Sequence, residues 1–246
     1  MTSYPYQLVE SDVAALGLIV LKSDETIERE FRAYFPPSAA NLLVTRVPSG
    51  DAVTPETLAK MSDDIPSAVG LLPTGLHLDV VGYGCTSGAT LIGADKVADL
   101  VGAVVSVGAV TNPLTAGLAA AEALGIKRMG IVSPYVASVA EPLREAFEAG
   151  GLEVPDTISF GEMVEAKVAR IDPVTIANAA RELHKRAALD GIFLSCTNLQ
   201  TIEIIASLET DLGIPILSSN QVLAWHMSRL STQDCHPAPV GRLFGA

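Results

Sequence analysis

Basic side chains are scarce in this chain: 16 Lys and Arg stand against 28 Asp and Glu in 246 residues, a formal net charge of −12. Neutralising phosphates requires clustered Lys or Arg, so nucleic acid and anionic membrane surfaces are excluded as partners. Long apolar runs are missing too. Apolar residues make up 49% of the chain and the mean hydropathy is +0.37. Yet the longest runs, 13–21 and 100–110 (the latter broken by Ser106), fall short of the roughly 20 residues that span a bilayer. They read as buried strands or helices. The opening MTSYPYQLVESD lacks the basic stretch that precedes the apolar run of a secretory leader. Three cysteines, an odd count, build no disulfide framework, so free thiols in a soluble, cytoplasmic protein are expected. Gly82, Gly84 and Gly88 are spaced GxGxxxG rather than GxGxxG, and no Gly-Lys-Ser/Thr occurs, so no nucleotide cofactor is invoked. Cys85, Cys196, Cys235 and His236 lack the paired spacing of a zinc site. His77, His184 and His226 follow no nucleophile motif and read as core or surface residues.

What is present is an alternation of short apolar, β-branched segments with longer Ala/Leu/Glu-rich ones. Strands are predicted at 16–21, 41–45, 77–82, 103–107, 129–132, 191–194 and 214–217. Helices are predicted at 25–34, after Pro55, at 87–100, from Pro113 to Gly125, at 136–149, from Asp172 to 188, at 198–212 and at 221–230. Pro113 and Pro173 suit first helical positions, Asp172 suits an N-cap, and Gly150-Gly151 suits a stop. Such alternation implies an α/β fold of parallel sheets with helices on both faces.

Two segments resemble each other: LDVVGYGCTS (78–87) and LDGIFLSCTN (189–198). Each has Leu-Asp, an apolar strand, then Cys-Thr and a small polar residue, with Asp79 and Asp190 both six residues before their cysteine. A duplicated half-domain with two equivalent corners accounts for this; chance likeness of two buried strands is the alternative. In open α/β sheets, ligands bind beyond the carboxyl ends of strands. Cys85 and Cys196 are each predicted to end a strand and open a helix. A helix N-terminus attracts carboxylates and lowers a thiol pKa. Thr86 and Ser87 at one corner, and Thr197 and Asn198 at the other, add hydroxyl and amide donors. Paired thiols across a cleft suit proton removal from one face of a carbon acid and return on the other. They equally suit thiolate addition to an activated alkene. The competing reading of a free cysteine is a small buried hydrophobe, which is adopted, with a surface thiol as the alternative, for Cys235.

GLIVLKSDETIE (17–28), GYGCTSG (82–88), VSPY (132–135), LSCTNL (194–199) and SSNQVLAWH (218–226) together resemble the aspartate/glutamate racemase superfamily. The branch is that of maleate cis-trans isomerases, arylmalonate decarboxylases and the racemase-like proteins of ectoine utilisation. The resemblance implies two similar α/β domains related by pseudo-two-fold symmetry, with the active site in the cleft between them and no cofactor. The domains are expected to be 1–110 with 219–246 returning to it, and 111–218. By motif position Cys85 and Cys196 match the catalytic cysteines. Thr86, Ser87 and Tyr135 match groups holding a substrate carboxylate, and the Thr197 backbone matches a further donor.

Two departures sharpen this. Arylmalonate decarboxylases of this branch keep only the second cysteine, whereas both are present here, which favours racemisation or isomerisation over decarboxylation. Maleate isomerases carry an Asn-containing segment in the first loop, whereas this chain has Lys22-Ser23-Asp24-Glu25. Either Asp24 simply caps the next helix, or Asp24 or Glu25 faces the cleft and pairs with a cationic group on the substrate. The second account implies an amino-acid-like substrate, such as a diamino acid derivative of ectoine breakdown, because a second carboxylate there would be repelled. A homo-oligomer is expected from the high apolar fraction. A carboxylate-binding protein without turnover is the competing class.

Overall fold

The computed structural model describes residues 3–9, 12–50 and 54–246. Of the stretch read above for a secretory leader, Met1, Thr2, Glu10 and Ser11 lie outside these residues. The first half of the chain runs β1 (Ala15–Leu21), α1 (Ile27–Tyr34), β2 (Asn41–Val47), α2 (Pro55–Val69), β3 (Leu78–Gly84), α3 (Thr86–Ile92), α4 (Ala94–Gly102) and β4 (Val107–Thr111). The second runs α5 (Pro113–Ala123), β5 (Met129–Tyr135), α6 (Ala137–Ala149), β6 (Thr157–Glu162), α7 (Glu165–Val168), α8 (Pro173–Arg186), β7 (Gly191–Leu194), α9 (Ile205–Leu212), β8 (Ile216–Ser218) and α10 (Ser219–Leu230). Two parallel four-stranded sheets result, ordered β2-β1-β3-β4 and β6-β5-β7-β8. Strand for strand the order is the same, as duplication requires. The central strands β1, β3, β5 and β7 are buried along their whole length, which explains their unbroken apolar sequences.

The repeated Leu-Asp does the same job twice. Asp79 Oδ2 accepts from the Ala15 N–H that opens β1, at 2.9 Å. Asp190 Oδ2 accepts from Lys127 and Arg128 N–H, at 3.1 and 2.9 Å, just before β5. Each aspartate thus pins the start of the first strand of its half to the start of the third.

α10 closes the molecule. Leu223, Ala224 and Met227 pack beneath the first sheet with Leu16, Leu18 and Val80. Val222 and Trp225, on the same helix, pack with Ala116, Leu217 and Phe193 of the second half. Among the described residues no helix is long and apolar enough to cross a membrane.

Several local expectations are corrected. The strand read at 103–107 lies at Val107–Thr111, because Ala103, Val104 and Val105 finish α4 by donating back to Asp99 and Val101 carbonyls. The helix read at 87–100 is two helices, divided at Gly93 with φ 91°. The edge strand β6 and the single turn of α7 were not anticipated: Thr157, Ser159 and Glu162 dilute the apolar signal of a half-exposed edge. α8 does begin with Pro173, but the Asp172 side chain makes no capping bond.

Candidate active site

Both matched cysteines line one cavity of about 10 Å³, room for about one water molecule. β3 and α3 supply Cys85, Thr86 and Ser87; the β7 turn supplies Cys196 and Thr197; Tyr135, Glu165, Leu21 and Leu58 complete the wall. The structure thus brings together five of the nine residues singled out from sequence at the cysteine corners, plus Tyr135, and places Asp24, Glu25 and Asn198 behind or outside them.

The two corners differ in backbone. Cys85 is the N-cap of α3, and its Sγ accepts the Gly88 N–H at 3.2 Å. Cys196 opens no helix: the expected helix at 198–212 begins only at Ile205. Its φ of 115° makes it the one non-glycine with positive φ among the described residues, a conformation costing on the order of 1–3 kcal/mol that its surroundings must hold. They do so from several sides. The Cys196 N–H donates to Ser219 Oγ at 2.9 Å; Thr201 and Ile202 N–H donate to Glu30 Oε1 at 2.7 and 3.0 Å; Asn220 Nδ2 donates to the Thr197 carbonyl at 2.8 Å. These tertiary bonds hold 196–202 in a non-helical path, and α9 begins only at Ile205. Ser219 also accepts from Thr86 Oγ1 at 2.8 Å, so one hydroxyl ties both corners together.

Asp24 caps α1: its Oδ1 accepts Thr26 and Ile27 N–H, both at 2.8 Å, and its Oδ2 accepts Thr197 Oγ1 at 2.8 Å. Both oxygens are engaged, and this early cap explains why α1 starts at Ile27 rather than 25. Glu25 points outward into a two-bond ion pair with Arg170, at 2.8 and 3.0 Å. The carboxylate that does line the cavity is Glu165, which periodicity did not reveal because it sits in the single-turn α7. Its Oε1 accepts Tyr135 Oη at 2.7 Å and its Oε2 accepts Asn198 Nδ2 at 2.8 Å. Asn198 bridges the halves, its Oδ1 accepting Glu25 N–H at 2.9 Å.

Among the described residues no cationic side chain lines the cavity. Burial pushes the Cys85 thiol up to about 12; the Gly88 N–H opposes this, and Glu165 and Asp24 reinforce it. Burial and the Glu165 charge likewise hold Cys196 well above the usual thiol range. The expected lowering by helix N-termini is therefore overturned: one N–H at the first corner, and no helix at the second, do not outweigh desolvation and two carboxylates. Burial also raises Glu165 and Asp24 above ordinary carboxylate values. All three thiols are free, and Cys235 lies apart from the cavity, buried beneath α10 with the first-sheet core. Among the described residues no group of three or more His, Cys, Asp or Glu side chains is placed to hold a metal ion.

The chain is similar to several known proteins. The arylmalonate decarboxylase of Bordetella bronchiseptica is 32% identical over 136 residues, 54% of this chain and 57% of that protein. The maleate isomerase of Geobacillus stearothermophilus is 24% identical over 218 residues, 83% of this chain and 86% of that protein. A Nocardia farcinica maleate cis-trans isomerase variant, solved with a covalently bound succinylcysteine intermediate, superposes with a TM-score of 0.85 at 23% identity, covering 94% of this chain and 98% of that one. A family profile described as arylmalonate decarboxylase matches residues 86–244, more than half of the sequence, and the chain belongs to that family.

Proposed function

We propose that this protein is a cofactor-independent isomerase, a racemase or cis-trans isomerase of a small carboxylic acid, working through Cys85 and Cys196. The observation that carries the reading is that two thiols from equivalent strand ends, β3 and β7, open into one cavity. The maleate isomerases among its relatives favour the same chemistry. A substrate carboxylate would be received by the Thr86 and Ser87 corner, Tyr135 and the Thr197 backbone.

In the racemase version one cysteine, as thiolate, takes the α-proton, and the other, as thiol, returns a proton to the opposite face. In the cis-trans version a thiolate adds to one alkene carbon, the former double bond rotates as a single bond, and expulsion of the thiolate restores the alkene. Positioned acid–base groups of this kind contribute about 10²–10⁴-fold in rate. The substrate's second functional group meets Glu165, the only carboxylate among the described residues lining the cavity. This favours a substrate with an amino group at that end, in keeping with an amino-acid derivative. Asp24 is a weaker partner, because it is not part of the cavity wall.

Incubating candidate substrates in D₂O tests the reading. Deuterium at the α-carbon indicates racemisation, and fumarate from maleate indicates cis-trans isomerisation. CO₂ release would favour the decarboxylase reading that the Bordetella relative supports, and no turnover of any acid would favour a binding protein. Fast alkylation of Cys85 and Cys196 with protection by substrate, against slow labelling of Cys235, accompanies the enzymatic outcomes only.

A further inference from the structure

A buried thiol whose pKa is raised needs a route for its proton, and nothing in the mechanism above supplies one. We propose that Glu165 takes the Cys196 proton through the Tyr135 hydroxyl. Tyr135 Oη lies 2.7 Å from Glu165 Oε1 and 2.9 Å from Cys196 Sγ. A phenol has one proton, and Tyr135 donates it to the carboxylate, so toward Cys196 its oxygen accepts and the thiol donates. Asn198 steadies both ends: its Nδ2 donates to Glu165 Oε2 at 2.8 Å, and its N–H donates to Cys196 Sγ at 3.3 Å.

In the transfer, the Cys196 S–H bond breaks as an O–H forms on Tyr135, while the former tyrosine proton passes to Glu165 Oε1. The products are a thiolate accepting from Tyr135 and from Asn198 N–H, and a neutral Glu165 acid donating to Tyr135. No electron is gained or lost and the net charge is unchanged. That conservation is the physical advantage. Losing the Cys196 proton to solvent would place a second negative charge beside Glu165 in a desolvated site, whereas passing it to Glu165 relocates one charge and adds none. Cys85 also hydrogen-bonds a tyrosine, Tyr83, but beyond it Tyr83 reaches the Met61 sulfur, at 3.9 Å, and among the described residues it hydrogen-bonds no carboxylate. The relay thus separates two otherwise matched thiols, making Cys196 the one that ionises. It rests on the reading that the cysteines react, but it operates without substrate.

The titratable groups acting on Glu165 are Asp24 from the loop before α1, Tyr135 from β5, Cys85 and Cys196. On its own side, Lys167 and Arg170 turn outward to Glu162 and Glu25. Iodoacetamide labelling of the substrate-free protein, followed residue by residue with mass spectrometry between about pH 6 and 9, tests the relay. Cys196 in the native protein is expected to react at a rate nearly independent of pH once Glu165 is ionised, because the thiolate forms by internal transfer. In Glu165→Gln the Cys196 rate at the acid end falls at least about tenfold and climbs about tenfold per pH unit. Cys85, in the same cavity, holds its rate or reacts faster for want of the neighbouring charge. Tyr135→Phe gives the same loss, the double variant no further loss, and Glu165→Asp a partial recovery. An unchanged Cys196 rate in Glu165→Gln, or an equal fall at Cys85 and Cys196, overturns the proposal. Should Glu165→Gln leave the thiols untouched yet shift turnover from amino acids toward dicarboxylates, Glu165 is a selectivity residue only, and the isomerase reading stands without the relay.

Discussion

Single side chains carry unusual responsibility around the cavity, and Ser219 is the clearest case. Its hydroxyl accepts from the Cys196 N–H and from Thr86, so Ser219→Ala leaves a buried N–H without an acceptor. A loss of about 1–3 kcal/mol is expected, read in urea unfolding together with lower turnover; a change below about 0.5 kcal/mol would show that water replaces the hydroxyl. Asp24 makes a second test. Asp24→Asn keeps the cap on α1 and is expected to be near neutral, whereas Asp24→Ala loses it at about 1 kcal/mol. Cys85, Cys196, Thr86, Ser87 and Tyr135 were legible in the sequence because each sits at or just beyond the end of a buried strand. Glu165 and Ser219 were not, since their importance arises from atoms more than twenty residues distant in the chain. Of the two accounts of Asp24, the helix cap is the one its hydrogen bonds describe.

Among the elements, α1 and the segment 197–204 are coupled through one buried carboxylate. Glu30 on α1 accepts from Thr201 and Ile202 N–H and from Asn220 Nδ2. Glu30→Gln turns one acceptor into a donor facing other donors, so a loss of about 1–3 kcal/mol is expected; an unfolding midpoint equal to the native one would contradict that coupling. The alternation of strands and helices was readable because central strands are wholly apolar. Where tertiary bonds override local preference the reading failed: 198–204 looks helical, yet Thr201 and Ile202 N–H are held by Glu30 and Asn198 N–H by Cys196 Sγ. The short α7 and the edge strand β6 lack enough turns or apolar positions to register.

For the molecule as a whole, the buried carboxylates set the direction of its pH response. Burial makes Asp24, Glu30 and Glu165 hold protons more tightly folded than unfolded. Their contribution to stability is therefore complete below the ordinary values of 3.8 and 4.5 and is lost as pH rises through the higher folded values. Relief of the −12 net charge acts the same way as pH falls. Urea unfolding at constant ionic strength is expected to show stability rising as pH is lowered through the folded-state values of these carboxyls toward their ordinary ones; a steady fall over that span would contradict it. The two-fold repetition was visible in the sequence through Leu-Asp and Cys-Thr, and the two sheets repeat it in strand order. How tightly the halves close on the cavity was not, because that depends on contacts between them rather than within either.

In the proposed reaction both thiols act together. The most direct measurement is the turnover of Cys85→Ser and Cys196→Ser, each compared with the native protein on the best substrate from the D₂O incubations. Each variant is expected to lose about 10²–10⁴-fold in rate while keeping its unfolding midpoint. Either variant retaining native turnover would contradict the two-cysteine account and leave a single proton donor, as in a decarboxylase.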